Sequence, residues 1–234
     1  LDYVALSFVR RSEDVVALRE ILPRGLLVVA KIEKDSALKD IERIVRAADA
    51  IMVARGDLGV ELRFEQVPLI QKRLIRLAIE HGRPVITATQ MLDSMIHNPR
   101  PTRAEASDVA NAILDGTDAV MLSAETATGK YPVETVEAMA RICLEAEKSA
   151  EVTLDRDFLN RVFTRIDQSI AMAALFTAYH LKVKAIAALT QSGSTALWIS
   201  RLNAGVPIYA LTPEVSTRYR MSLFRDVFPF MIGY

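Results

Sequence analysis

Cysteine and net charge are both scarce in this sequence. Its 234 residues include one cysteine, Cys143. No disulfide can therefore form within the chain, which predicts a reducing compartment such as the cytosol. The 29 basic side chains equal the 29 acidic ones, so no overall field attracts nucleic acid or an anionic membrane. Any anion that binds is expected to be held by a local group of residues.

Long apolar runs are also absent. No segment reaches the roughly 18 consecutive apolar residues that a membrane-spanning helix needs, and residues 170–176 form too short a run. The start shows no secretory signal pattern. The first residue is Leu1, which opens a strand-like run, and the sequence ends at Tyr234 without a polar tail. We therefore expect a piece of a longer cytoplasmic protein with no nucleic-acid or membrane partner.

From the start to about residue 151, short β-branched runs alternate with helical patterns, the rhythm of parallel βαβ units. The predicted strands are residues 3–9, 26–33, 50–55, 84–89 and 119–123. The predicted helices are residues 12–22, 36–47, 64–81, 102–114 and 132–150. Val67 and Leu74 share a stripe of the third helix, and Val133, Val136 and Met139 share a face of the fifth. The fold class is therefore α/β.

Two α/β architectures fit this rhythm, an open doubly wound sheet and a (β/α)8 barrel. A barrel gathers functional residues at the carboxyl ends of several strands, whereas a doubly wound sheet concentrates them at one or two loops. Here distinctive residues close four of the predicted strands. They are Lys31, Glu33, Arg55, Gly56, Asp57, Thr89, Gln90, Ser123 and Glu125. We therefore predict an incomplete TIM barrel, with about five of its eight strands, in residues 1–152.

The character of the sequence changes after residue 155. A helix (168–181), a strand (185–190), a Ser-Gly-Ser-Thr turn, a helix (196–203), a strand (208–211) and a helix from about Glu214 are expected in that order. This pattern predicts a truncated second α/β domain over residues 153–234.

Lys31 and Glu33 stand two residues apart at the end of a predicted strand, so both side chains point to the same side. An ammonium and a carboxylate at a barrel mouth can hold a phosphate and a metal ion together. In the run Arg55-Gly56-Asp57, Asp57 adds a second oxygen donor, and Gly56 lets a ligand approach the backbone closely. Magnesium needs only one or two carboxylates besides substrate oxygens and water. A structural ion pair and an ordinary turn are the alternative interpretations.

Hydroxyl and carboxyl groups at the next two strand ends suggest proton handling. Thr89 offers a hydroxyl to a substrate carboxylate or to a proton-relay water, and helix capping is the alternative. Ser123 and Glu125 could pass protons through water or serve as caps. The loop of residues 98–105, with two prolines and two arginines, either contacts another subunit or is a solvated turn.

Taken in order, these strand ends resemble those of pyruvate kinase. The resemblance covers residues 1 to about 150 and rests on six motifs. They are LSFVR (6–10), AKIE (30–33), MVARGDLG (52–59), TATQML (87–92), PRPTRAE (99–105) and MLSAET (121–126). Residues 155–234 resemble the first part of that family's C-terminal effector domain. The resemblance implies three more barrel strands and a mobile lid domain upstream of this chain.

The resemblance also implies an activity and a metal. Pyruvate kinase is a glycolytic transferase that moves the phosphoryl group of phosphoenolpyruvate to ADP, giving pyruvate and ATP. Carried over by motif, Glu33 and Asp57 would hold Mg²⁺ or Mn²⁺. Backbone amides around Arg55, Gly56 and Asp57 would bind the substrate carboxylate. A K⁺ ion is implied as well, at a site outside this chain.

The remaining roles follow from the same motifs. Lys31 would neutralise the migrating phosphoryl group, since phosphoryl transfer depends mainly on positioning and positive charge. Thr89 would stand beside the enolate carbon and orient the proton source. Ser123 and Glu125 are further candidates for that relay. The family resemblance also implies a homotetramer built through the barrel and the C-terminal domain.

Loop 190–195 resembles the family's effector loop, where hydroxyls and amides at the start of a helix hold a phosphate. Its candidate residues are Thr190, Ser192, Gly193, Ser194 and Thr195. Gln191 and Ser194 stand where members that respond to fructose bisphosphate tend to carry basic residues. This favours a sugar monophosphate or a nucleotide as allosteric effector, and an unregulated site is the alternative.

Two other functions fit the sequence. One is another metal-dependent barrel enzyme of phosphoenolpyruvate or pyruvate chemistry, which would not share this order of motifs. The other is a non-catalytic fragment that acts as a scaffold or subunit interface. Because the lid and most nucleotide contacts have no counterpart here, the resemblance implies negligible turnover by these residues alone. A sample mass near 26.0 kDa would identify a true fragment.

Overall fold

The computed structural model describes residues 1–149, 163, 165–202 and 205–233. The chain divides into two compact units, one made of Leu1 and Tyr3–Ser149, the other of Asp2 and the described residues after Ser149. The predicted boundary between residues 152 and 153 lies outside the described residues. None of the described helices is both long and apolar enough to span a bilayer.

A parallel five-stranded sheet forms the centre of the first unit. Its strands lie in chain order, each hydrogen-bonded to the next. They are β1 (Tyr3–Leu6), β2 (Leu27–Ile32), β3 (Ala50–Ala54), β4 (Val85–Ala88) and β5 (Ala119–Met121). Because all of them run in the same direction, their carboxyl ends lie at one edge. This order fits five consecutive strands of a (β/α)8 barrel.

Helices connect these strands. They are α1 (Ser12–Ile21), α2 (Asp35–Lys39), α3 (Ile41–Ala47), α4 (Arg55–Glu61), α5 (Val67–Glu80), α6 (Arg103–Leu114), α7 (Ala124–Ala127) and α8 (Pro132–Ser149). Two 3₁₀ segments, Phe64–Gln66 and Asp93–Ile96, stand among them. One sequence prediction was wrong here, because residues 36–47 form two helices. Helix α4, which begins at Arg55 directly after β3, was not predicted.

The break between α2 and α3 coincides with a long-range contact. It falls at Asp40, whose carboxylate does not cap α3. That carboxylate instead accepts hydrogen bonds from the amide and hydroxyl of Ser12, at 2.8 and 3.0 Å. The Asp40 side chain is therefore bound to a residue 28 positions earlier in the chain and not to the start of α3.

The core of the first unit lies between the sheet and its helices. All five residues of β3 are buried, as expected for a parallel strand that is covered on both faces. Ile51 and Val53 belong to one apolar cluster with Leu74 and Ile75 of α5. Burying such a side chain stabilises the fold by about 1.5–3 kcal/mol. The predicted apolar stripe of this helix is therefore confirmed at Leu74.

The predicted face of α8 is confirmed at Met139 and was wrong at Val133 and Val136. Val133 and Val136 are 65% and 54% exposed, whereas Thr135, Ala138 and Met139 are buried. Ala138 and Met139 share an apolar cluster with residues of α6. Thr135 can be buried because its hydroxyl donates to Tyr131 O at 2.6 Å, which satisfies the polar group.

The second unit is a smaller α/β layer. Its elements are α9 (Ile166–Leu181), β6 (Ile186–Leu189), α10 (Ser194–Arg201), β7 (Ile208–Thr212), α11 (Val215–Met221) and β8 (Val227–Met231). The strands form a parallel sheet in the order β6-β7-β8. The α/β prediction is confirmed, but β8 was not predicted. Pro229 lies inside it, and proline argues against a strand except at an edge.

The start of α6 is fixed by a capping box. Thr102 Oγ1 accepts from the amide of Glu105, and Glu105 Oε2 accepts from the amide of Thr102 at 2.7 Å. The same carboxylate accepts from the amide and hydroxyl of Ser94, at 2.7 and 2.6 Å. Glu105 thus ties the segment after β4 to α6.

Glu105 makes the stability of this region depend on pH. Partial burial raises the pKa of its carboxyl, but the hydrogen bonds from Ser94 and Thr102 outweigh burial and hold the pKa below the usual 4.5. The contribution is therefore present above the unfolded pKa and is lost as the pH falls through the folded one. We expect Glu105→Gln to be less stable than the parent at neutral pH. This difference should shrink as the pH falls below about 4, as measured by urea unfolding; a constant difference would contradict the assignment.

Candidate active site at the strand ends

A charged cluster joins the ends of β1 and β2. Lys31 Nζ lies 2.6 Å from Glu33 Oε1 and donates to Ser7 Oγ at 3.1 Å. The amide of Phe8 donates to Glu33 Oε2 at 2.6 Å. Glu33 is fully buried, yet Oε1 accepts no hydrogen bond from the described residues, despite its ionic contact with Lys31. The ion pair that the sequence analysis named as the alternative interpretation is present, and the role of Glu33 as a metal ligand stays a prediction.

Phe8 holds an unusual backbone conformation beside this cluster. Its φ is 55°, which is uncommon for a bulky residue and is typical of functional sites. Its ring is half exposed, and Lys34 Nζ lies 5.3 Å from the ring centroid. Lys34 also pairs with Glu61 at 2.6 Å, so the end of β2 contacts the last residue of α4.

A hydroxyl-to-amide contact joins the ends of β3 and β4. The amide of Gly56 donates to Thr89 Oγ1 at 2.6 Å, and Thr89 Oγ1 donates to Ala88 O at 2.6 Å. Thr89 does not cap a helix, because the next α-helix is α6, whose N-cap is Thr102. A Cβ added at Gly56 would lie 3.4 Å from Thr89 Oγ1. The Gly56 amide and the Thr89 hydroxyl therefore face each other across a small space.

Arg55 turns its side chain away from that space. Its guanidinium donates to Thr89 O at 2.8 Å and pairs with Asp108 at 2.7 Å. The side chain is only 10% exposed. Protein groups therefore occupy the guanidinium, and substrate binding by the backbone amides of this segment stays a prediction.

Asp57 is exposed in the first turn of α4. Ile32 is paired with Val53, so Glu33 and Asp57 belong to neighbouring strand ends. No group of three or more His, Cys, Asp or Glu side chains in the described part of the chain could hold a metal. Two carboxylates would suffice for Mg²⁺, which takes its other ligands from substrate and water, and the metal site of Glu33 and Asp57 stays a prediction.

The two candidates after β5 differ in their surroundings. Glu125 is 1% exposed. Its Oε2 accepts from the amide of Ser123 at 2.7 Å, and its Oε1 accepts from the amide of Leu92 at 3.4 Å. This geometry favours a structural role for Glu125, which fastens the loop after β4 to the end of β5. Ser123 is exposed and makes no side-chain cap to α7.

The candidate effector loop of the second unit is internally bonded. The amide of Gly193 donates to Thr190 Oγ1 at 3.0 Å, and the amide of Ser194 donates to Ser192 Oγ at 3.4 Å. The hydroxyl of Ser194 donates to Asp167 at 2.7 Å. Hydrogen bonds from Arg165 hold the pKa of Asp167 far below its usual range. An ionised carboxylate therefore lies against this loop, and Thr195 is half buried beside it.

Sequence reasoning assigned no role to Ser7, Phe8, Gln71 or Asp108. Ser7 and Phe8 were findable, because they end a strand in the same way as Lys31 and Thr89. Asp108 carries no such signal. It lies inside α6 and meets Arg55 only because the chain folds, 53 positions apart.

Five parallel strands in chain order, connected by helices, place this chain in the class of (β/α)-barrel proteins. Comparison with known proteins makes this specific. Residues 1–136 match the profile of the pyruvate kinase barrel domain, and residues 168–233 match that of the pyruvate kinase alpha/beta domain. The chain belongs to the pyruvate kinase family.

Individual relatives agree. The chain is 50% identical over 236 residues to pyruvate kinase from Buchnera aphidicola subsp. Schizaphis graminum and to pyruvate kinase II from Salmonella typhimurium. It is 47% identical over 234 residues to pyruvate kinase from Thermotoga maritima. Each comparison covers 98% of this chain and 49% of the relative. The chain thus spans about half the length of these curated relatives.

Proposed function

We propose that this chain supplies the phosphoenolpyruvate-binding wall and the metal site of a pyruvate kinase, which transfers the phosphoryl group of phosphoenolpyruvate to ADP. One observation carries the proposal: the Lys31–Glu33 cluster stands at the same sheet edge as the Gly56–Thr89 contact. An ammonium can stabilise a phosphoryl group, a carboxylate can hold a divalent metal ion, and a backbone amide can donate to a substrate carboxylate. Family membership supports the same reaction.

The metal is assigned to Glu33 and Asp57. The donor set consists of carboxylate oxygens, which suit Mg²⁺ or Mn²⁺. When bound, the metal would neutralise charge on the substrate oxygens. Glu33 is held ready for it, because the Phe8 amide and the Lys31 ammonium fix the carboxylate from two sides. We assign K⁺, known from the family resemblance, to residues outside this chain.

Lys31 and Thr89 perform the remaining steps assigned here. The Lys31 ammonium, anchored by Ser7 and Glu33, faces the migrating phosphoryl group and stabilises its charge. The substrate carboxylate accepts from the backbone amides around Gly56, whose own amide lies 2.6 Å from Thr89 Oγ1. The Thr89 hydroxyl then lies beside the substrate, where it can orient the water that protonates the enolate. Ser123 is the second candidate for that relay.

A hybrid enzyme tests the proposed reaction. In it, this chain replaces the matching segment of Salmonella typhimurium pyruvate kinase II, with which it aligns over 98% of its length. We expect the hybrid to turn over phosphoenolpyruvate and ADP in a coupled assay. The chain alone should show at least about a thousandfold less turnover, because positioning supplies most of the rate in phosphoryl transfer.

Each result decides between interpretations. An active hybrid with an inactive isolated chain supports the proposal. An inactive hybrid that folds, as judged by circular dichroism, would favour a non-catalytic scaffold. Normal turnover by the isolated chain would contradict the expectation that the reaction also needs residues outside this chain.

Metal binding tests the two carboxylates separately. In the hybrid, Glu33→Gln and Asp57→Asn should each weaken Mn²⁺ binding by about tenfold or more, the loss found when groups around a metal are removed. Binding is followed by the electron paramagnetic resonance signal of free Mn²⁺. The matched control is Glu80→Gln on α5, where Glu80 pairs with exposed Arg76. If all variants bound Mn²⁺ with equal affinity, the assignment of the metal to Glu33 and Asp57 would be wrong.

Three finer assignments complete the proposal. We propose a cytosolic location because of the cysteine content and a homotetramer because of the family resemblance. We also propose a phosphorylated effector, a sugar monophosphate or nucleotide, for the loop of Thr190, Ser192, Gly193, Ser194 and Thr195. It would have to displace the hydrogen bond between Ser194 and Asp167.

A further inference from the structure

Arg55 is anchored to the loop after β4 by its side chain. Nη2 donates to Thr89 O at 2.8 Å and to Gln90 O at 3.3 Å, and Nε donates to Thr89 O at 3.3 Å. A further contact runs from Nη2 to the buried sulfur of Met91. The fork of the guanidinium is therefore already taken, and it is not available for a bidentate contact with a substrate carboxylate.

The carbonyls that Arg55 binds belong to two strained residues. The φ angles of Thr89 and Gln90 are 70° and 53°. For a β-branched residue such as Thr89 this conformation is an outlier. Such conformations persist only where surrounding contacts impose them. The guanidinium of Arg55 supplies these contacts at both carbonyls.

The strained loop carries a group that the reaction uses. With this backbone conformation, Thr89 Oγ1 accepts from the amide of Gly56 at 2.6 Å. Gly56 follows Arg55 directly, so one turn of α4 supplies both the amide and the guanidinium. Asp108 holds that guanidinium from α6 at 2.7 Å, and Gln71 holds it from α5 at 3.3 Å.

We infer that Arg55 is a positioning residue: its guanidinium keeps Thr89 and Gln90 in the left-handed conformation and so sets the Thr89 hydroxyl at the Gly56 amide. Asp108 keeps the guanidinium in place. The effect on turnover rests on the proposed function, whereas the effect on loop conformation does not. The two parts can therefore be tested separately.

The structural part is tested on this chain by nuclear magnetic resonance. A positive φ gives a strong intraresidue NOE between the amide proton and Hα, which we expect at Thr89 and Gln90 in the parent. Arg55→Lys keeps the charge but loses the fork, so it should weaken both NOEs and shift the Gly56 amide resonance. Arg46→Lys, at an exposed arginine paired with Glu42, should leave all three signals unchanged. Unchanged signals in Arg55→Lys would overturn the inference.

The functional part is tested in the hybrid. If Arg55 acts through Thr89, Arg55→Lys should lower kcat by about tenfold or more while KM for phosphoenolpyruvate changes by less than about threefold. A raised KM with unchanged kcat would instead make Arg55 a direct substrate contact. Adding Gln90→Gly should restore part of kcat, because glycine adopts positive φ without strain.

The role of Arg55 can still be tested if a variant does not fold or if the hybrid has no activity. If Arg55→Lys does not fold, Asp108→Asn is the milder variant, and it should change the same signals in the same direction by a smaller amount. Unchanged signals in that variant would also overturn the inference. If the parent hybrid has no activity, the proposed function fails, and the NOEs of Thr89 and Gln90 alone decide whether Arg55 positions the loop.

Discussion

Replacing Lys31 by methionine in the hybrid enzyme is expected to lower kcat by about a thousandfold, the upper range for loss of one charge-stabilising group. The ammonium lies 2.6 Å from Glu33 and 3.1 Å from Ser7, so it is fixed before the substrate arrives. Charge that is fixed in advance needs no reorganisation during the reaction. KM for phosphoenolpyruvate should change far less than kcat. Steady-state kinetics measure both.

Lys34→Met is the matched control for this variant. Lys34 stands at the same strand end, but it pairs with Glu61 and covers the ring of Phe8. Its loss should change kcat by less than about threefold, as expected for a residue outside the chemistry. Similar losses of kcat in both variants would mean that any positive charge at this edge of the sheet supports turnover, whichever residue carries it. The specific role of Lys31 would then be wrong.

Removing Lys31 also leaves Glu33 buried without its ionic partner, which destabilises a fold by about 3–5 kcal/mol when no other group compensates. Stability must therefore be measured alongside kcat. Lys31→Arg keeps the ionic contact with Glu33 but changes the shape of the cation. If that variant is as stable as the parent and still slow, the loss of rate comes from the chemistry and not from unfolding.

The strand ends were predictable because their signals are local. The alternation of strands with helices fixes which residues close each strand, and parallel strands bring those ends together. Lys31 and Glu33 therefore share a face in the structure, as their spacing indicated. The assignment of a catalytic role to each residue came from the family motifs, and the geometry leaves those roles to the experiments above.

The hydrogen bonds from the Arg55 guanidinium to the backbone of Thr89 could not be predicted from the sequence. Positive φ at a threonine contradicts its intrinsic preference, and the arginine that imposes it is 34 positions away. Similarly, the faces of α8 depended on which helix packs against it. Val133 and Val136 have the right spacing for a core stripe with Met139, but α6 packs against Ala138 and Met139, and the two valines stay exposed. The sequence pattern alone predicts the buried face of such a helix only weakly, because packing against a neighbouring helix decides which side chains are buried.

Gly129→Ala is expected to destabilise the first unit by about 3 kcal/mol, the top of the usual range for overpacking. An added Cβ would lie 2.3 Å from Glu125 O and 3.3 Å from the Cα of Ile96. Both are backbone atoms, so no side-chain rotation can relieve the clash. Urea unfolding followed by circular dichroism measures the loss.

The same substitution at Gly59, Gly59→Ala, is expected to have the opposite effect on stability. Gly59 lies inside α4, and the nearest atom to its added Cβ is a methyl of Val67 at 3.9 Å. Alanine should therefore stabilise the helix by up to about 1 kcal/mol. If both variants were equally destabilised, general sensitivity of the chain and not the Gly129 clash would be the cause.

The clash at Gly129 should also reach the site. Glu125 belongs to the same turn and binds the amides of Leu92 and Ser123. Backbone displacement there would loosen the loop that carries Thr89. In the hybrid we therefore expect Gly129→Ala to lower kcat even at temperatures where it stays folded, while Gly59→Ala keeps the parent value. Full activity in a folded Gly129→Ala hybrid would mean that Glu125 does not help to position the loop that carries Thr89.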